Sequence, residues 1–219
     1  MNVFVTGTDT AVGKTYVARA LLRAYVAAGR RAVGMKPVAA GVDAGAPVNA
    51  DVAALAEAGN VDAPLVDRNP YAFKPAVAPH LAAAAAGVTI ELAAIEAAYA
   101  RLAARADVVV VEGAGGVFVP LGDRYDMLDI PHRLGLPLLL VVGIRLGCLN
   151  HALLSERSVR ARGVALAGWI ANVMDPGMPM REENIAALAQ RLAAPCVAVV
   201  ERGARVPFPD QWLGCGEPC

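Results

Sequence analysis

The chain has 219 residues and is 57% hydrophobic with few aromatics, which suits one large α/β domain around an aliphatic core. Its 20 Lys and Arg balance its 20 Asp and Glu, so no global field would hold it on nucleic acid or on an anionic membrane, and any anionic ligand must be caught by a local site. The longest apolar run, 134–144, contains Gly and Pro and is too short to span a bilayer.

Met1-Asn2-Val3-Phe4-Val5 shows no basic segment followed by an apolar one, so no signal peptide is expected. Cys148, Cys196, Cys215 and Cys219 lack the paired spacing of a zinc site. They read as free thiols of a reducing, cytoplasmic protein.

In chain order, Val3 to Thr6 is a β-prone run ending at Gly7, and Lys14 to Ala28 has helical spacing and stops at Gly29. Ala32 to Lys36 reads as a strand cut off by Pro37, and Asp51 to Ala58 as a helix ending at Gly59. Asp62 to Pro79 carries several prolines and reads as a long loop, followed by a helix over Ile90 to Arg105. Val108 to Glu112 is a strand ending in an acid. Leu138 to Val142 is another strand, Asn150 to Arg162 a helix, Val164 to Asn172 a strand, Glu182 to Leu192 a helix and Val197 to Val200 a strand. Uninterrupted apolar strands separated by helices predict a mostly parallel sheet with helices on both faces. We expect one α/β domain over 1–219, with 204–219 as a candidate poorly ordered tail because it mixes Pro, Gly and Cys.

Ligands of such sheets bind at the carboxyl ends of the strands. Gly7, Lys36, Glu112 and Asn172 all fall at predicted strand ends, so distant parts of the sequence converge on one edge. Gly7 to Thr15 joins a strand to a helix through Gly13-Lys14-Thr15, the context of a phosphate-binding P-loop. Backbone N–H groups of Ala11, Val12, Gly13 and the helix start through Tyr16 would cradle phosphate, Lys14 would reach the outer phosphates and the Thr15 hydroxyl would bind magnesium. The loop holds five residues between its glycines, where the usual pattern has four.

Val108 to Glu112 has the form of a Walker B strand, with Glu112 as a magnesium candidate, and Gly113-Ala114-Gly115-Gly116 lets backbone approach a ligand closely. Asp51 is a second candidate metal ligand, or simply an acid favoured by the helix dipole in a first turn. Pro37 holds Lys36 extended, so Lys36 is either a solvated strand-end lysine or an anion ligand beside the γ-phosphate. Asn172 is either a polar cap after a strand or a base ligand. Trp169 is expected in the core, Arg101 and Arg105 on a solvated helix face, and His80 as a packing residue in a loop.

Residues 5–15, Lys36-Pro37-Val38, Val111-Glu112-Gly113-Ala114-Gly115-Gly116, Gly147-Cys148-Leu149-Asn150-His151 and Gly168-Trp169-Ile170-Ala171-Asn172 together, in this order, resemble dethiobiotin synthetase. The five-residue gap in the phosphate loop is itself a feature of that family. The resemblance implies an ATP-dependent ligase that makes dethiobiotin from 7,8-diaminononanoate and CO2 through a carbamate phosphorylated by ATP. It further implies Lys14, Lys36 and Thr10 in catalysis, and Thr15, Asp51 and Glu112 on Mg2+. Gly115 and Val117 would lie on the diamine or its carbamate, and Asn172 on the adenine. A homodimer is implied too, in which Asn150 binds the substrate carboxylate of the neighbouring subunit. Ala11 stands where relatives often carry an acid and Ala40 where a hydroxyl residue is usual; the segment 198–203 lacks a proline-containing adenine-side pattern. Two other classes compete. A partition-type ATPase that dimerises on ATP would carry a further lysine early in the loop, which Thr8, Asp9 and Thr10 do not supply. An amidotransferase-linked ligase would need a glutaminase domain, for which 219 residues leave no room.

Overall fold

The computed structural model describes residues 1–42, 45–201 and 203–213. Its elements are β1 (Val3–Gly7), α1 (Lys14–Ala27), β2 (Ala32–Met35), β3 (Val38–Ala40), α2 (Ala50–Ala58), α3 (Leu65–Arg68), β4 (Tyr71–Phe73), α4 (Pro79–Ala85), α5 (Leu92–Ala103), β5 (Val108–Gly116), α6 (Asp129–Leu134), β6 (Leu138–Ile144), α7 (Cys148–Ala161), β7 (Leu166–Val173), α8 (Arg181–Ala189), β8 (Cys196–Val200) and α9 (Asp210–Leu213). Six strands form a parallel sheet in the order β2-β5-β1-β6-β7-β8. All therefore end on one edge, and β1 lies where the chain order reverses, at the crevice such sheets use for ligands.

The valine and leucine runs are continuous because both faces of the sheet are covered. Successive side chains of a strand point to opposite faces. Val108, Val110, Leu139, Val141, Val3 and Val5 enter one core with Val17, Ala18, Leu21 and Leu22 of α1. Phe4, Val109, Val111, Leu138, Leu140 and Val142 enter the other, with Leu92, Ile95, Ala98 and Leu102 of α5 and Ala152 and Val159 of α7. Trp169 is fully buried in this second core, as its apolar strand predicts.

Residues 62–79 depart from the long loop expected of them. They hold α3 and β4, and β4 pairs in parallel with β3 to form a separate two-stranded sheet. Segments of four and three residues carry too little periodicity to be read from sequence. His80, expected in a loop, lies in the first turn of α4, which begins at Pro79. Arg101 is not merely solvated: its guanidinium pairs with Asp67, whose side chain is buried. The described part of the tail is also packed. Trp212 of α9 is buried, the Tyr25 hydroxyl of α1 donates to the Trp212 carbonyl at 2.7 Å, and Tyr16 donates to the Ala204 carbonyl. Residues 214–219, including Cys215 and Cys219, lie outside the described residues. Cys148 and Cys196 are free. Among the described residues no helix is long and apolar enough to cross a membrane.

Candidate active site

At the carboxyl edge of the sheet the loop from β1 wraps over the start of α1. Gly13, the residue before the helix, has φ 96°, and a Cβ there would stand 2.3 Å from Asn172 Nδ2. Only glycine fits both the conformation and the space. Ala11 is also left-handed, with φ 59°, and such turns aim successive N–H groups inward as an anion nest. Asp9 organises the loop. Its carboxylate accepts the Thr10 N–H and pairs with Arg145 after β6, and its carbonyl accepts from Lys14 Nζ at 2.8 Å. Lys14 is buried; burial first, and then the Lys36 charge, lower its pKa to about 8.

Lys36 follows β2 and is not a solvated strand-end lysine: it is 4% exposed. Its backbone is fixed on both sides, the N–H donating to the Arg68 carbonyl and the C=O accepting from the buried Asn69 side chain. Its ammonium lies 2.7 Å from Asp51 Oδ2 and 2.5 Å from Glu112 Oε1. The Thr15 hydroxyl sits 2.9 Å from Asp51 Oδ1 and 2.8 Å from Glu112 Oε1. Burial works against the charged forms of all three ionisable partners. For Lys36 the attraction of Glu112 and Asp51 outweighs burial and holds its pKa above the usual lysine range. For the half-exposed Asp51, Lys36 and the Thr15 hydrogen bond outweigh it and hold the carboxyl low. Glu112, fully buried and beside a second carboxylate, is pushed up by burial despite Lys36.

Thr10, Ala11, Gly13, Lys14, Thr15, Lys36, Asp51, Glu112, Ala114 and Gly115 line one cavity of about 700 Å³, together with Ala40, Asn49, Val119 and the segment Ala76–Pro79. Gly115 has φ 64°, and a Cβ on it would meet Val119 at 2.5 Å with Thr10 Oγ1 at 3.6 Å, so the glycine turn and Thr10 face the same space. Across the loop, a second cavity of about 300 Å³ is lined by Ala11, Gly13, Tyr16, Asn172, Val173, Met174 and Gly203. Asn172 Nδ2 donates to the Val12 carbonyl at 2.8 Å, tying β7 to the loop.

Four expected site residues do not line these cavities. Val12 is buried in the core with Val17 of α1. Gly113 packs its backbone toward Phe4, where a Cβ would come within 2.9 Å. Val117 is buried in the core, and Asn150 is exposed in the first turn of α7. Asn49 was missed. It caps α2 by accepting the Asp51 N–H at 3.0 Å and donates to the Gly41 carbonyl at 3.0 Å, so it places Asp51 from a buried position. Its signal was present in sequence: asparagine directly before a helix is a favoured cap. A larger cavity, about 970 Å³, lies between α1 and the tail and is lined by Ala20, Ala24, Ala27, Phe208 and three arginines; none of the residues read as catalytic lies in it.

A glycine–lysine–threonine turn between a strand and a helix, at the reversal point of a parallel sheet, with acids on its neighbours, defines an ATP-binding protein of the P-loop class. A family model described as an AAA domain matches residues 1–208. The ATP-dependent dethiobiotin synthetase of Aromatoleum aromaticum is 55% identical over 199 residues, covering 90% of this chain and 88% of that protein. The enzyme of the same name from Nitrosospira multiformis is 52% identical, covering 90% and 86%. The chain belongs to the ATP-dependent dethiobiotin synthetase family. Solved structures of a ParA family ATPase from Chlorobium tepidum and of MinD from Aquifex aeolicus superpose with TM-scores of 0.57 and 0.57 at 15% and 14% identity, covering 91% and 100% of this chain and 84% and 88% of theirs. These share its fold alone; the sequence relatives favour the ligase over the partition-type switch.

Proposed function

We propose that this chain closes the ureido ring of dethiobiotin from 7,8-diaminononanoate, CO2 and ATP at the 700 Å³ cavity. One amine of the substrate adds to CO2 and loses a proton, giving a carbamate. A carbamate oxygen attacks the γ-phosphorus and ADP leaves. The second amine attacks the carbon of the mixed anhydride and loses a proton, phosphate leaves and the cyclic urea is formed. Every stage carries anionic oxygens, so catalysis rests on cations placed in advance. Lys14, inside the phosphate loop, serves the outer phosphates. Lys36, between that loop and the glycine turn, serves the carbamate and the transferring phosphoryl group. Thr10 and the backbone at Gly115 position the carbamate end, and Asn172 with Tyr16 borders the adenine.

Thr15, Asp51 and Glu112 fit Mg2+, an oxygen-seeking ion that keeps few protein ligands. The second Glu112 oxygen, Oε2, is buried without a hydrogen-bond partner, as a ligand oxygen awaiting a cation would be. Bound there, Mg2+ supplies charge neutralisation to the phosphates. Asn150 is exposed and does not line the cavity of its own chain, and Leu146 and Leu154 on either side of it in sequence are exposed too. This supports a homodimer in which it receives the substrate carboxylate of the other subunit, helped by the α7 N-terminus.

The observation that carries the reading is the meeting of Lys14 and Thr15 at the start of α1, Lys36 after β2, Asp51 in the first turn of α2 and Glu112 of β5 around one cavity. Purified protein given MgATP, bicarbonate and the diamine should release phosphate only when the diamine is present and form the cyclic urea in equal amount. Phosphate release indifferent to the diamine, with no cyclic product, would reject the reading.

A further inference from the structure

The ammonium of Lys36 lies between the same two carboxylates that suit the divalent cation, 2.7 Å from Asp51 and 2.5 Å from Glu112. A small cation shared by these carboxylates would stand within a few ångströms of that ammonium, and two positive charges so close in a buried setting repel strongly. The backbone of Lys36 cannot yield, since its N–H and C=O are both bonded and Pro37 follows. The four-carbon stem can. Lys36 also lines the cavity that Thr10, Ala40 and Gly115 line.

We propose that Lys36 is the resident counter-ion of the cation site, competing with Mg2+ for Asp51 and Glu112 and turning its ammonium into the cavity only when the site is loaded. The inference rests on the reading that Thr15, Asp51 and Glu112 hold magnesium. It assigns Lys36 two positions. In the first it pairs with both carboxylates, of which Glu112, fully buried, would be costly to leave without a partner. In the second it meets the carbamate and phosphoryl oxygens. The device ties delivery of the catalytic charge to cation loading, so an incompletely loaded site keeps its lysine withdrawn.

Competition and simple structural pairing predict opposite results for removing the ammonium. Mn2+ binding to the nucleotide-free protein, followed by electron paramagnetic resonance, should be at least tenfold tighter for Lys36→Met than for the unaltered chain. Equal or weaker binding overturns the proposal. Should Lys36→Met not fold, the unaltered protein decides. The chain has only three lysines, Lys14, Lys36 and Lys74, so a protein labelled with carbon-13 at lysine Cε gives three signals, assigned with Lys14→Arg and Lys74→Arg. Saturating Mg2+ without nucleotide should move the Lys36 signal and leave that of the exposed Lys74 in place; a stationary Lys36 signal overturns the proposal. If no divalent cation binds even with ATP added, the magnesium reading itself falls, and the competition with it.

Discussion

At the scale of single residues, Lys36 makes the most testable commitment. Lys36→Ala removes the ammonium from the carbamate end but leaves the phosphate nest and Lys14 in place. Turnover should fall by two orders of magnitude or more, while ATP binding measured by calorimetry changes less than tenfold; equal turnover would reject its role. Gly13→Ala should act on the other half of the site. Its Cβ would collide with Asn172 in a conformation that side chains rarely adopt, so nucleotide binding should be lost in the same calorimetric experiment. Asn49→Ala should cost about 1 kcal/mol of stability as a lost helix cap, read by urea titration. It should also raise the Mg2+ concentration needed for half-maximal turnover. Asn49→Ser, which keeps an acceptor for the Asp51 N–H, should recover most of the stability.

Residues of this kind were unequally legible. Lys14 and Thr15 could be read directly, because their chemistry is fixed by the turn between a strand and a helix. Asp51 stayed ambiguous, because an acid in a first helical turn is favoured by the dipole alone; its contact with Thr15 and Lys36 is a tertiary fact. The pairing of Lys36 with two acids, 15 and 76 positions away, left no local trace.

At the scale of elements, long periodic segments were predictable and short ones were not. The α1 pattern of Val17, Ala18, Leu21, Leu22 and Tyr25 states its buried face openly. By contrast β3 and β4, three residues each, exist only by pairing with one another. β5 also runs on past Glu112, where the apolar run ends, through Gly113 to Gly116, and Gly116 pairs with Gly7 of β1. The tail packs for a similar reason. Trp212 provides apolar area, and the Tyr25 hydroxyl anchors its carbonyl.

That anchor makes a pH prediction. Burial raises the Tyr25 phenol from an ordinary 10.0 to about 12. Its contribution to stability is therefore complete below pH 10 and is lost as pH rises toward 12, where the unfolded chain ionises first. Urea titrations between pH 8 and 11.5 should show stability falling across that window. Tyr25→Phe should be about 1 kcal/mol less stable at neutral pH and show a shallower decline; identical slopes would contradict the anchor.

For the whole molecule, the parallel sheet is what turns scattered motifs into a site. Continuous Val and Leu runs fixed strand type and the covered faces, and strand type fixed the shared edge. Strand order was not legible, since hydrophobic runs on both faces leave every neighbour equally apolar. Yet that order seats β1 between β5 and β6, so the phosphate loop lies between the strand that carries Glu112 and the strand that leads to Arg145. Zero net charge is consistent with a field confined to this crevice rather than spread over the surface.

The central claim is that one triphosphate lies between both buried ammonium groups, with its cation on the two acids. A crystal structure with a non-hydrolysable ATP analogue, Mg2+ and the diamine tests it most directly. The account predicts the γ-phosphate within hydrogen-bonding distance of both Lys14 and Lys36, and the metal on Thr15, Asp51 and Glu112. Nucleotide seated instead in the arginine-lined groove of α1, or a γ-phosphate beyond the reach of Lys36 with the diamine bound, would contradict it.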